Sequence, residues 1–396
     1  MRIHLDNLNG RLLSPEVRPA ITEALDSCGN PSSLHAGGRA AARFVSRARG
    51  QVAALAGARP DEVLFTSGGT ESNTWALAGL AAAAKGRGNH LVVSAVEHLS
   101  VLQTVRGMEK EGWAVTLLPV DGSGRVDPPR LEAALTPRTV LVSVQWANPE
   151  VGTLQPVAEI ARRVKARGVL FHADAVAAAG RVPLDLAKVP ADALSLASGP
   201  LGGPPGAGAL FIRRGARVQP LFVGGIQEEG RRAGTENLLA IAGFGAAAEL
   251  AARELPSLAE KVLPLRERLV RGILNIVSDA SFNGDPTDRL PGHISVSFPG
   301  ADAEALVLAL DREGVSVGLG SACSSKAVKA SHVLKAMGIG DPQALGTVTL
   351  TLAGETAAAE VDRFLEILPR ALTIIGKQSV PGTKYPVHRF KEEVRE

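Results

Sequence analysis

Residues 139–175, TVLVSVQWANPEVGTLQPVAEIARRVKARGVLFHADA, decide the fold. The opening run Thr139–Val144 is continuously apolar rather than alternating, as a strand covered on both faces requires. Pro156–Ala166 has helical spacing, and Val169–His172 is strand-like again. A strand, a helix and a second strand in this order form a crossover unit, the connection that joins parallel strands.

The same rhythm extends in both directions. Strand-like runs at Glu62–Phe65, His90–Ser94, Ala114–Leu118 and Ala193–Ala197, followed by GALFIRR (208–214), alternate with helical patterns such as Thr70–Ala84. Glu16–Leu25 and Gly38–Leu55 read as helices joined by turn chemistry over Cys28–His35, and Ala233–Leu274 is a long helical region containing Gly243 and Pro256. Beyond a domain change near Leu255, HISVSF (293–298), AEALVLAL (303–310), SVGLGSACSS (316–325), TVTLTL (347–352) and the helix Ala357–Leu372 make a smaller α+β unit. The residues from Gln378 onward are Pro- and charge-rich and read as an exposed tail.

Composition narrows the function classes. A formal charge of +3 over 396 residues, with no dense basic block, argues against nucleic acid. MRIHLDN lacks the apolar core of a secretory signal, and no run approaches the roughly 18 apolar residues of a membrane helix, so no membrane association and a cytoplasmic location are expected. Two cysteines, Cys28 and Cys323, make no disulfide framework, which fits a reducing compartment.

Ligands of parallel sheets bind beyond the carboxyl ends of the strands, and the residues there carry the candidate chemistry. Ser67–Glu71 follows a strand and opens a helix, so Gly69 and Thr70 can cradle a phosphate or simply cap the helix. His98, in Val-Glu-His, can lie against an aromatic ring or be polar surface. Asp174 ends an apolar strand, where a buried carboxylate needs a cationic partner; the plainer reading is the cap of a following Ala-rich helix. Gly224–Glu228 and Arg231–Asn237 form a cationic turn suited to an anion or to capping. Cys323 lies among small residues near Lys326 and Lys329, a setting that lowers a thiol pKa and suits a nucleophile or metal ligand. Cys28, before a Gly-Asn-Pro turn, reads as packing.

Taken together, GNPSSLH, FTSGGTESN, AVEHLSVL, NPEVGT, FHADA, GGIQEEGRRAGTEN and GSACSS followed by SHVLKAMG resemble, in order and spacing, the cysteine desulfurases of iron–sulfur cluster assembly, in the class V aminotransferase superfamily. The resemblance covers nearly the whole chain. It implies a fold-type I pyridoxal-phosphate-enzyme architecture: a mainly parallel seven-stranded sheet in a large α/β/α domain, residues 13–255. Residues 1–12 plus 256–377 would form the small α+β domain carrying the Cys323 loop, with 378–396 as the tail. It also implies a homodimer with its site at the subunit interface. His98 would stack on the pyridine ring of the cofactor, Asp174 would pair with the ring nitrogen, and Gly69 and Thr70 would bind the phosphate. Thr235 would reach the partner subunit's phosphate, and Cys323 would carry sulfur as a persulfide.

The departures fall on the same pocket. No basic residue occurs between Lys188 and Arg213. The family's Ser-Gly-His-Lys, followed by Gly-Pro-Lys-Gly-x-Gly-Ala-Leu, aligns with Ala197, Ser198, Gly199 and Pro200, which puts Pro200 at the Schiff-base lysine position. A phosphate-binding serine becomes Ala197, a histidine becomes Gly199, a glutamine becomes Ala177, a carboxylate-binding arginine falls at Thr349, and Ala-Thr-Thr becomes Asn9-Gly10-Arg11. These changes predict no covalent aldimine with pyridoxal phosphate and no standard desulfurase turnover. The expected role is that of a sulfur acceptor, cluster ligand or scaffold partner acting through Cys323, with an iron–sulfur cluster at Cys323 only in the cluster-ligand case, and with an iron–sulfur scaffold or sulfur-acceptor protein as partner. The alternatives are an enzyme holding pyridoxal or pyridoxamine phosphate noncovalently, or an active desulfurase with a displaced lysine such as Lys326.

Overall fold

The computed structural model describes residues 2–27, 29–320 and 330–376; Cys28, Cys323, Lys326, Lys329 and the tail lie outside them. Seven strands form one sheet in the order 63–66, 208–212, 193–197, 170–174, 139–143, 90–94, 114–118. All neighbours run parallel except Gly208–Ile212, which is antiparallel to both strands beside it. The expected mainly parallel seven-stranded sheet is therefore present.

Its three central strands are pinned by a buried polar relay. His172 bonds the Ser143 hydroxyl through Nδ1 and the Ser195 hydroxyl through Nε2, each at 2.9 Å. Burial pushes the His172 pKa down to about 3, so the ring is neutral and both nitrogens are used. Two residues on, Asp174 closes its strand in register with Ser195. Strand Gly208–Ile212 can approach the turn after Thr66 because residue 208 lacks a side chain: a Cβ there would stand 2.6 Å from the Gly68 backbone.

A second sheet has the strand order 3–5, 315–319, 347–351, 293–297, 281–282, so the first residues of the chain pair with Val315–Leu319. Each sheet packs its own apolar cluster, and the helix Leu238–Ile276 serves both. Its Ile241, Phe244 and Ala248 join the first cluster, while Val262, Leu269 and Ile273 join the second. The helix begins at Leu238 rather than at Ala233, because the Asn237 side chain accepts the Ala240 N–H and the residues before it are held in a loop. Among the described residues no helix is long and apolar enough to cross a membrane.

Candidate functional site

A cavity of about 520 Å³ opens where the sheet's carboxyl ends meet the second sheet. Gly69, Thr70, His98, Asp174 and Pro200 all line it. Thr235 does not; it is exposed and away from the wall. Cys323 lies outside the described residues, but Gly320 and Ala330, which bracket residues 321–329, are both wall residues.

Asp174 is buried, with Oδ1 accepting the Val176 N–H at 2.9 Å and Oδ2 accepting the Asn73 amide at 2.7 Å. No helix follows it: residues 176–181 are a run of turns, and the bond to Val176 closes a local turn rather than capping a helix. Burial raises its pKa, against the opposing pull of the Val176 bond and of His98. No Lys or Arg is among the described wall residues, so among them the carboxylate has no strong cationic partner.

His98 is the N-cap of helix Leu99–Lys110, its Nδ1 accepting the Ser100 N–H at 3.1 Å and lying 2.7 Å from the Ser100 hydroxyl. Ser100 in turn accepts Asn73 at 2.9 Å, which completes a chain from His98 through Ser100 and Asn73 to Asp174. A backbone donor on Nδ1 leaves the neutral ring's proton on Nε2. Gly69 and Thr70 open helix Gly69–Ala84, where N–H groups are left for an anion.

The cationic turn does not offer itself to an anion. Arg232 is paired with Glu71 at 2.9 Å and Arg231 with Glu229 at 2.7 Å, so both charges are compensated within the fold. Pro200 sits in the turn Gly199–Leu201, its carbonyl accepting Arg181 Nη2 at 2.8 Å. The same guanidinium donates to the Asn7 carbonyl at 2.6 Å, and burial lowers its pKa to about 9. Ala177 is on the wall; Ala197 and Thr349 are buried off it.

Sequence reasoning missed Asn73, Glu97 and Glu150 as wall residues. Asn73 stands three residues after Thr70 on one helix, the spacing that shares a face, and Glu97 precedes His98 directly; these were the available signals. Glu97 is fully buried, with Oε1 accepting the Gln145 N–H at 2.7 Å, and burial, then the nearby Asp174, raises its pKa well above the carboxylate range.

Burial also raises the Glu150 pKa to about 7, although the Ser331 hydroxyl donates to it. Between about 4.5, the ordinary value for a glutamate, and 7 the folded protein holds a proton that the unfolded chain has lost, so stability falls as pH rises through that window. Glu150→Gln is expected to remove this slope. Urea unfolding at pH 5 and pH 8 would show the variant gaining up to about 3 kcal/mol relative to the parent at the higher pH. An unchanged slope would contradict the burial argument.

The pocket fits a phosphorylated pyridine ring. A buried carboxylate without a strong cationic partner suits a protonated ring nitrogen, and Thr70 with the helix terminus suits a phosphate. Among the described wall residues none carries an amine; Lys326 and Lys329 lie outside the described residues.

The family model described as Aminotransferase class-V matches residues 3–364. A cysteine desulfurase of Cereibacter sphaeroides is 46% identical over 388 residues, covering 96% of this chain and 99% of its own. The cysteine desulfurase IscS of Methanosarcina thermophila is 42% identical over 358 residues, 89% of this chain and 88% of its own. A solved NifS-like protein superposes with a TM-score of 0.89 at 34% identity, covering 94% of this chain and 100% of its own.

Proposed function

The chain belongs to the aminotransferase class-V family, and on that premise we propose a cysteine-desulfurase-like protein of sulfur or iron–sulfur metabolism that holds pyridoxal phosphate without a covalent bond. Standard lysine-dependent desulfurase turnover is absent from this reading, and Cys323 is its sulfur acceptor or cluster ligand. One observation carries it: Pro200 shares the cavity wall with Asp174, Thr70 and His98, and no described wall residue is an amine.

Bound there, pyridoxal phosphate supplies an electron sink for an amine substrate. In this proposal Asp174 would hold the ring nitrogen, Thr70 and the start of helix Gly69–Ala84 would hold the phosphate, and His98, fixed by Ser100, would lie along the ring. Cys323 follows the wall residue Gly320 by three positions in the sequence, which supports its assignment as the sulfur acceptor. A homodimer in the cytoplasm, with Thr235 serving the partner copy's phosphate and a scaffold or acceptor protein receiving sulfur, completes the proposal. In it the large domain is residues 13–255 and the small domain 1–12 plus 256–377.

The test is a spectrum of protein loaded with pyridoxal phosphate and dialysed, read beside sulfide release from L-cysteine. The expected result is retained cofactor that borohydride does not fix to the protein, no sulfide release, and loss of sulfur uptake from a persulfide donor in Cys323→Ser. Borohydride fixation together with turnover would overturn it, and mapping the adduct to Lys326 would establish a displaced lysine instead.

A further inference from the structure

We infer that Glu150 selects the ligand on the substrate side of this cavity: as a neutral carboxylic acid it hydrogen-bonds the carboxylate of an amino-acid-type or thiol-acid ligand, so that ligand and proton are taken up together. The inference rests on the reading of this cavity as a ligand site and names the residue that recognises the ligand's acid group.

Its place in the cavity is the first argument. Thr349 stands where a carboxylate-binding arginine is expected, and it pairs in register with Gly318. Gly320 follows two residues later, and a Cβ built there would lie 3.7 Å from Glu150 Oε2. Gly320 and Glu150 are both wall residues, as is Asn9, whose Nδ2 lies 3.4 Å from a Cβ built at Gly318. Glu150 is half-buried and keeps part of its surface on the cavity, whereas Glu97, at 0% exposure, is sealed from any ligand. The Glu150 carboxyl therefore stands at the end of the cavity from which the arginine is missing.

Hydrogen bonding decides which oxygen serves. Ser331 Oγ accepts the Val333 N–H at 3.0 Å and the Leu334 N–H at 3.2 Å, which commits its own hydrogen to Glu150 Oε2. The acid proton of Glu150 then belongs on Oε1, where no described residue competes for it. From there it can donate to a ligand carboxylate, and two carboxyl groups at close range share one proton because both cannot be ionised.

The charges around Glu150 agree. Burial raises its pKa to about 7 against the Ser331 bond and the pull of His98, and Asp174 is not among the groups that act on it. A ligand carboxylate thus meets a donor, where an ordinary glutamate would present a second negative charge. His332, next to Ser331, has its Nε2 on the Glu97 carbonyl. Lys326 and Lys329 of the adjoining segment lie outside the described residues.

Calorimetric titration with 3-mercaptopropionate and its methyl ester, which differ only at the carboxylate, tests this on protein carrying pyridoxal phosphate. Neither probe has an amine to react with the cofactor. The acid is expected to bind about tenfold more weakly at pH 8 than at pH 6, and at pH 8 to bring in about one proton per ligand, read from two buffers of different ionisation enthalpy. The ester is expected to bind more weakly than the acid at pH 6 and to lose less on going to pH 8. Glu150→Gln, whose amide donates at every pH, is expected to hold the acid at pH 8 as tightly as the parent does at pH 6. Equal parent affinity at both pH values would mean that a permanent cation takes the carboxylate. That result, an ester bound as tightly as the acid at pH 6, or a pH dependence that survives in Glu150→Gln would overturn the inference. The parent's pH dependence and proton uptake decide the matter even if the variant does not fold by circular dichroism. The titrations are repeated on protein stripped of cofactor, where Asp174 also titrates, and there only the part of the pH dependence that Glu150→Gln removes is counted. Cofactor absorbance is read on the same samples: retained cofactor with a flat profile sinks the role of Glu150 alone, and lost cofactor with the Glu150-dependent profile intact sinks the cofactor reading alone.

Discussion

Asp174→Asn is expected to release pyridoxal phosphate and, at the same time, to make the ligand-free protein more stable at neutral pH. The carboxylate is buried with two neutral donors and no strong cationic partner among the described residues, and burial raises its pKa. A carboxyl that holds its proton more tightly folded than unfolded costs stability once pH exceeds the unfolded value, so the ligand-free protein weakens as pH climbs from there through the raised folded value. The amide is uncharged and nearly the same size. Asn73 can then turn over and present its spare Oδ1 to the new N–H, which satisfies an atom that now has no partner. The ligand, by contrast, loses a charge-assisted bond, and about 100-fold weaker binding follows from about 2.7 kcal/mol. Thermal unfolding without ligand at pH 5 and pH 8, with cofactor binding followed by fluorescence, checks both halves. A variant that is less stable at pH 8, or that binds as tightly as the parent, would contradict the assignment of Asp174 to the ring nitrogen.

The largest loss of stability is expected from Glu228→Ala, at about 2–4 kcal/mol, since it strands the half-buried Arg49 charge and leaves the Phe65 N–H without its acceptor. The two Glu228 oxygens accept both Arg49 Nη atoms at 2.7 and 2.8 Å, and one of them also accepts the Phe65 N–H at 3.1 Å. Its side chain is 1% exposed. Arg49 also donates to the Val63 carbonyl and lies over the Phe65 ring, so it cannot swing out to water without giving up those contacts. The backbone at Glu228 has φ 48°, a left-handed conformation that alanine relieves no better than glutamate, so no gain offsets the loss. Urea unfolding measures it, with Glu228→Gln expected to fall between parent and alanine. A loss below about 1 kcal/mol would mean that water replaces the pair without difficulty. Because this pair fastens the loop before Leu238 to strand Val63–Thr66, the variant should also loosen the loop bearing Thr235.

Much of the fold could be read from the chain because its strands are apolar on both faces: His90–Ser94, Ala114–Leu118 and Ala193–Ala197 have the expected limits. Helix ends were less legible. The start at Leu238 depends on Asn237 and on ion pairs between Arg232 and Glu71, 161 residues apart in sequence, which no local pattern encodes. The same holds for the helix expected after Asp174, where alanine propensity yields to a packed run of turns. At the site, His98, Asp174, Thr70 and Pro200 announced themselves through motif order, and the fold brings them to one wall. Glu97, Asn73 and Glu150 did not, because what makes them notable is burial and an unfilled or perturbed hydrogen-bonding atom, properties of three-dimensional surroundings rather than of residue type.

Arg181 has a consequence for how residue 200 tolerates change. Its guanidinium grips the peptide oxygens of residues 200 and 7, atoms that every amino acid supplies. The seat of the Gly199–Leu201 turn is therefore indifferent to the side chain mounted on it. Chemistry at that point can be exchanged like a tool in a fixed holder, while the main chain, the N-terminal segment and the inner strand Ala193–Ala197 behind them keep their places.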